Sequence, residues 1–171
     1  MKIVMWIMGV LMALVGIGYA IGLAIPAEQT HTRTINLQQT PETIFAVLAD
    51  VEKMPSWNEG LEKVEVIPPI DGHEASRHTF KGNLQMTIVT AASHPPSHLI
   101  RSMGDEEGPF VGSWTYNIIL APGGSEVALT EDSEVRNPFT RLMMKLFGPT
   151  KYMDQHLTGL ARHFGETAVI R

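Results

Sequence analysis

Residues 3–25 read IVMWIMGVLMALVGIGYAIGLAI, 23 residues without a single charge. As a helix rising about 1.5 Å per residue, the run is about 34 Å long, enough to cross a hydrocarbon core of about 30 Å. It reads as an uncleaved single-pass membrane anchor. A cleaved secretory signal is the main rival, but its apolar stretch ordinarily spans about 7–15 residues and ends at an A-x-A-like site. Here the run is longer and its exit, Ala24-Ile25-Pro26-Ala27, matches such a site poorly. A core helix of a soluble protein is a third reading. No Cys follows the run, which excludes a lipoprotein anchor. Lys2 precedes it, while Glu28 follows and the next base is Arg33. The excess of positive charge on the cytoplasmic side of membrane proteins then places the N-terminus in the cytoplasm and the rest outside, periplasmic or extracellular. Gly18 and Gly22 form a G-x-x-x-G, the spacing that lets two helices approach closely, and so a candidate homodimer face.

Removing the run changes the meaning of the composition. The 171-residue chain carries a net charge of −5 and a mean hydropathy of +0.02. All 18 acids but only 12 of the 13 bases lie beyond residue 25, so the remainder is near −6. An acidic domain excludes a phosphate-neutralising nucleic-acid surface, which needs clustered Lys and Arg. The absence of Cys excludes disulfides, thiolate metal sites and a Cys nucleophile.

Residues 26–30 read as a linker. Residues 31–39 alternate as a half-buried strand. Thr40-Pro41-Glu42 starts a helix, with Thr40 as N-cap and Pro at the first position. Ile44, Val47, Leu48 and Val51 recur at helical spacing until Met54-Pro55-Ser56-Trp57-Asn58 breaks the pattern. Strands follow at 62–67, 73–80, 84–92, 98–103, 111–120 and 126–135. They are separated by Pro68-Pro69 with Asp71-Gly72, by Lys81-Gly82-Asn83, by 93–97, by an acidic loop at 104–109 and by 121–125. Asn137-Pro138 caps a last helix whose face carries Phe139, Leu142, Met143, Leu146 and Phe147. Gly148-Pro149 interrupts it, and Met153, Leu157, Leu160 and Phe164 resume it. The class is α+β: a strand, a helix, about six antiparallel strands, then a long C-terminal helix.

This order, with Thr-Pro-Glu-Thr-Ile-Phe at 40–45, Pro-Ser-Trp at 55–57 and Gly112-Ser113-Trp114-Thr115-Tyr116, resembles the SRPBCC (START-like) superfamily. The closest likeness is to its bacterial polyketide cyclase/dehydrase-like members. The resemblance covers about residues 31–166. It implies a helix-grip fold: a curved antiparallel sheet around the C-terminal helix, with a deep apolar cavity between them. It also implies a lipid, sterol, polyketide or other hydrophobic ligand, and in some members cyclisation or dehydration. The fold alone decides none of these.

Strand parity proposes the cavity wall. Trp114, Tyr116, Ile118 and Leu120 share one face, Val127, Leu129 and Val135 another, and Leu84, Met86 and Ile88 a third. The last helix would add Met143, Phe147, Met153 and Leu157. The ligand-binding candidates are therefore Met86, Ile88, Trp114, Tyr116, Ile118, Leu129, Met143, Phe147, Met153 and Leu157, although a plainly filled core would use the same residues. Glu131 has the parity of Leu129. It is either a buried acid, costly unless paired or shifted in pKa, or a solvated rim residue where the strand twists. Arg101 has the parity of Leu99 and Met103 and would be its partner. His78 has the parity of Phe80, as a cavity residue or a hydrogen-bonded structural one. Glu131, His78, Arg101 and Tyr116 are the candidate catalytic residues.

No metal site or cofactor is expected. His73-Glu74 and His78 miss H-E-x-x-H by one residue, His94 and His98 flank Pro95-Pro96, and His156 and His163 lie two helical turns apart. There is no nucleophile elbow, Walker loop or G-x-G-x-x-G. Asp105-Glu106-Glu107 reads as a solvated loop or a lid. Three functions follow: a membrane-tethered, non-enzymatic binder of a hydrophobic small molecule or lipid; a cyclase or dehydratase using the cavity acids and bases; or a ligand-free interaction module dimerised through Gly18 and Gly22.

Overall fold

The computed structural model describes residues 2–104 and 110–171. The acidic loop's Asp105, Glu106 and Glu107, read above as a solvated loop or lid, lie outside the described residues. Helix α1 (Lys2–Ala24) is followed by β1 (Glu28–Leu37), α2 (Pro41–Ala49) and a 3-10 turn (Met54–Ser56). Then come β2 (Leu61–Ile70), β3 (His73–Phe80), β4 (Leu84–His94), β5 (His98–Met103), β6 (Phe110–Ala121) and β7 (Gly124–Val135). Helices α3 (Pro138–Phe147) and α4 (Lys151–His163) complete the chain. The strands form one antiparallel sheet in the order β1-β7-β6-β5-β4-β3-β2, with α2 and α4 on its concave face. This is the helix-grip arrangement.

Local chemistry explains the boundaries. The Thr40 hydroxyl accepts from Thr43 N–H, and Pro41 fills the first helical position, where no amide donor is needed. The Asn137 carboxamide oxygen accepts from the N–H groups of Phe139 and Thr140 and starts α3 in the same way. Asp71 and Gly72 both have positive φ, which suits the tight turn between β2 and β3. Pro68-Pro69, expected in that turn, lies inside β2 instead. β2 is a sheet edge, where a missing donor is tolerated, and the register slips between Ile67 and Ile70.

Two expected boundaries move. The segment read as a linker at 26–30 is mostly strand: β1 starts at Glu28, and only Ile25, Pro26 and Ala27 separate it from α1. Even these are held, because Val135 N–H donates to the Ala27 carbonyl and Arg141 to the Ile25 carbonyl. The final apolar stripe divides into two helices with different partners. Gly148, at φ 95°, and Pro149 end α3 and re-aim the chain. Met153, Leu157, Leu160 and Ala161 of α4 are buried against the sheet, whereas no residue of α3 is buried.

Helix α3 packs on α1. Gly22 lies so close to the Pro138 carbonyl that a Cβ there would overlap it. A Cβ at Gly18 would meet Phe139 at 3.4 Å and Leu142 at 3.7 Å, and the Tyr19 and Phe139 rings lie 5.6 Å apart. The G-x-x-x-G face, a candidate homodimer face by sequence, is covered by α3 of the same chain. Small residues do permit a close helix approach here, but the partner is intramolecular.

Candidate functional site

Three residues stand side by side across the concave face. Arg101 on β5 is opposite Trp114 on β6, and Trp114 is opposite Glu131 on β7. Adjacent strands are about 4.8 Å apart, so Arg101 and Glu131 are separated by about 9.6 Å with an indole between them. The expected Arg101–Glu131 pair is replaced by a sandwich. Trp114 Nε1–H donates to Glu131 Oε2 at 2.7 Å, and the indole stacks on Tyr152 of α4 with centroids 5.3 Å apart.

Glu131 is 5% exposed, so the rim reading fails and the costly one holds. Burial raises its carboxyl above the usual range, and the Trp114 hydrogen bond opposes part of that rise. Arg101 is 2% exposed. Its Nη2 donates to the Leu48 carbonyl at 2.6 Å, its Nη1 lies 3.9 Å from Met54 Sδ, and its Nε has no acceptor among the described residues. No carboxylate pairs with it among the described residues. Leu48 is in the last turn of α2, where carbonyls lack helical partners and the helix end carries partial negative charge. That helix end is what makes a buried cation tolerable here, although burial still lowers its pKa.

A chain of hydrogen bonds beneath α4 has a direction. Gly60 N–H donates to Asn58 Oδ1, which fixes the carboxamide so that Nδ2 is the donor. Nδ2 lies 2.9 Å from His156 Nδ1 and 3.1 Å from Tyr152 Oη. His156 Nδ1 therefore accepts, and the neutral ring carries its proton on Nε2. Nε2 lies 3.0 Å from Tyr116 Oη, so Tyr116 accepts there and its own O–H points elsewhere. Among the described residues nothing takes that proton. Burial, with help from Arg101 and His78, pushes His156 down to about 3, which keeps it neutral. Burial pushes the Tyr116 hydroxyl up to about 12.

Tyr116 is opposite Leu99, two pairs along from Arg101, so the two residues are diagonal neighbours on one face. His78 completes the group. Its Nε2 is 3.0 Å from Ser76 Oγ, its Nδ1 has no partner among the described residues, and burial followed by the Arg101 charge lowers its pKa to about 4. A hollow of about 340 Å³ between the end of α2 and strands β2–β4 reaches this end of the site. Ser76, bonded to His78, and Thr90, opposite Arg101, line it.

All four candidate catalytic residues thus lie on the concave face. Of the ligand-binding candidates, Ile88, Trp114, Tyr116, Ile118, Leu129, Met153 and Leu157 are buried in one core, and Met86 packs on its margin. Met143 and Phe147 do not join them. They are 48% and 65% exposed on α3, because the break at Gly148-Pro149 turns that helix towards α1. Leu84, expected in the row with Met86, is exposed at the end of its hairpin. Asn58, Tyr152 and His156 are central to the site and were not singled out from the sequence as members of it. Their only local signal is that Tyr152 and His156 are four apart on a helix, on the stripe beside Met153 and Leu157.

Solved structures share this architecture. The Zhui aromatase/cyclase from Streptomyces sp. R1128 superposes with a TM-score of 0.64 at 15% identity, over 78% of this chain and 91% of that one. A conserved protein from Geobacillus kaustophilus gives 0.64 at 12% identity, over 84% and 99%. The di-domain ARO/CYC BexL from the BE-7585A biosynthetic pathway gives 0.66 at 8% identity over 80% of this chain, which spans 50% of BexL. No curated protein matches the chain. At these identities the structures speak for the fold. The sequence itself matches a family model over residues 27–165, all of β1 to α4, and the chain belongs to the polyketide cyclase / dehydrase and lipid transport family.

Proposed function

We propose that this protein is a membrane-tethered binder of a hydrophobic small molecule or lipid that carries an oxygen function. The single observation behind this reading is that two buried donors on neighbouring strands of the concave face, Arg101 Nε–H and Tyr116 O–H, lack an acceptor among the described residues. Unmet buried donors cost about 1–3 kcal/mol each, so a site that keeps two of them suits a ligand oxygen. Ile88, Ile118 and Leu129 would hold the apolar body, and the hollow at Ser76 and Thr90 would be its way in. Helix α1, uncharged beyond Lys2 and exposed along nearly its whole length, supplies the tether. Lys2 favours a cytoplasmic N-terminus and an exported domain.

The test is mass spectrometry of organic extracts from the full chain purified in detergent. The wild type should carry an apolar molecule with a carbonyl, carboxyl or hydroxyl group, and Arg101→Met should lose it. Wild-type protein that retains nothing overturns the proposal.

One observation favours a second reading, a cyclase or dehydratase. Glu131 holds its proton to higher pH than an ordinary carboxyl, while His78 stays neutral, so an acid and a base share one face. The names of the aromatase/cyclase structures point the same way. Glu131→Gln should then abolish turnover of a polyketide-type substrate and leave ligand retention intact; unchanged turnover rejects that role.

A further inference from the structure

Helix α3 carries an apolar face that, among the described residues, nothing in the domain beyond α1 covers. Phe139 is 39%, Met143 48%, Leu146 68% and Phe147 65% exposed, and the helix has no buried residue. Four large side chains on ten residues make a continuous patch of the kind that marks a partner or a membrane. Two observations say which. The patch continues onto α1 through the Phe139, Leu142 and Pro138 contacts with Gly18 and Gly22. Its height on α1 is also known: Gly18 is six residues before Ala24, about 9 Å from the end at which α1 meets the domain. Amphipathic helices that lie in a membrane surface bury their apolar face about 5–10 Å into the boundary between headgroups and acyl chains.

We propose that α3 is an interfacial membrane helix, embedded in the leaflet from which α1 emerges, with Phe139, Met143, Leu146 and Phe147 among the acyl chains. The inference rests on the reading of α1 as a membrane span. The placement is prearranged by the protein. Arg141 donates from Nε to the Val135 carbonyl at 2.6 Å, from Nη1 to the Ile25 carbonyl at 3.2 Å and from Nη2 to the Arg136 carbonyl at 3.1 Å. One side chain thereby ties the exit of α1 to the start of α3. Lys145 follows Arg141 by one helical turn on the side away from the apolar face and is exposed, where its ammonium would reach lipid phosphates.

The chain has no Cys, so a single cysteine can be placed at will. Leu11→Cys, Leu146→Cys and Val66→Cys, three exposed positions, would each be labelled with an environment-sensitive dye in the full chain. Each protein would be reconstituted in vesicles of zwitterionic and anionic lipid with or without brominated acyl chains. An interfacial helix should lose about half or more of the Leu146 emission to bromine, with Val66 on the far sheet edge unchanged. Quenching at Leu11 but not at Leu146 leaves the membrane span standing and overturns the placement of α3. Leu146 emission that is blue-shifted but insensitive to bromine indicates a second copy over the patch and also overturns it. No quenching at Leu11 removes the membrane span and the proposal together.

Discussion

The indole N–H of Trp114 is donated to Glu131 across 2.7 Å, inside a face where Arg101 stands on the opposite flank of the same ring. A bulky aromatic thus keeps a buried acid and a buried base apart and gives the acid its main partner. Trp114→Phe keeps most of the stack on Tyr152 but removes the donor. It should cost about 1–3 kcal/mol in urea unfolding, the penalty of an unmet buried polar group. Glu131→Gln keeps an acceptor and removes the charge, and should stay within about 1 kcal/mol of wild type at neutral pH. Glu131→Met removes the acceptor itself; combined with Trp114→Phe its effect should fail to add, and strict additivity of these two would show that the bond carries no energy.

Acidification should unfold the protein through its histidines. His78 and His156 have native pKa values of about 4 and about 3, against 6.5 for a free imidazole. Between pH 6.5 and 4 the unfolded chain therefore binds protons that the native state refuses, so stability falls as pH falls. Each ring contributes on the order of 2 kcal/mol of loss between pH 6.5 and 5, at about 1.4 kcal/mol per unit. Glu131 acts with the opposite sign, because a raised carboxyl loses stability as pH rises above 4.5, and it offsets part of the slope. Stability measured from pH 7 to pH 5 should decline, and His156→Gln should flatten the decline. A curve independent of pH over that range contradicts the buried neutral rings.

Arg101→Met replaces an unpaired buried guanidinium with an apolar chain of similar length. Buried ion pairs exchanged whole for well-packed apolar residues often leave stability unchanged or raise it by about 1–4 kcal/mol, and among the described residues Arg101 has no carboxylate partner that its loss would strand. The melting temperature should hold or rise while ligand retention is lost. A large drop would assign Arg101 to the structural support of α2 through the Leu48 carbonyl.

Gly159 on α4 faces the Trp57 carbonyl so closely that a Cβ would overlap it. Alanine is favoured over glycine in a helix interior by about 1 kcal/mol, but overlap with backbone costs about 1–3 kcal/mol. Gly159→Ala should therefore lower the melting temperature and loosen the Asn58–His156 hydrogen bond that starts one residue beyond Trp57. A stabilised variant would show that α4 has room to lift.

Strand parity alone turned Arg101, Tyr116, Glu131 and His78 towards one face, because alternation is a local property of extended backbone. Which residue stands opposite which is a property of register between distant segments. The Trp114 spacer was invisible for that reason, and Arg101 was matched with Glu131. Asn58 lies 94 residues from Tyr152 and 98 from His156, and no local pattern reports a hydrogen bond across that interval. On α3 the periodicity revealed an apolar stripe correctly but not its partner, since a stripe that meets a sheet and one that meets another helix or a bilayer are spelled alike. The prolines at 68 and 69 misled in the reverse sense, because edge strands admit what central strands reject.

Only Ile25, Pro26 and Ala27 lie between α1 and β1, and the carbonyls of all three are engaged, by Arg141, Gln29 and Val135. A flexible tether would let the domain wander through a hemisphere above its anchor and meet ligands by diffusive search. Here almost no free chain remains to wander. With α1 upright in a bilayer, tilt and height are inherited from the helix, and spin about its axis is the main motion left. On the proposed membrane reading, the domain would be mounted like a compass needle on a pin, free to turn in the plane of the membrane but with the same rim always facing the lipid.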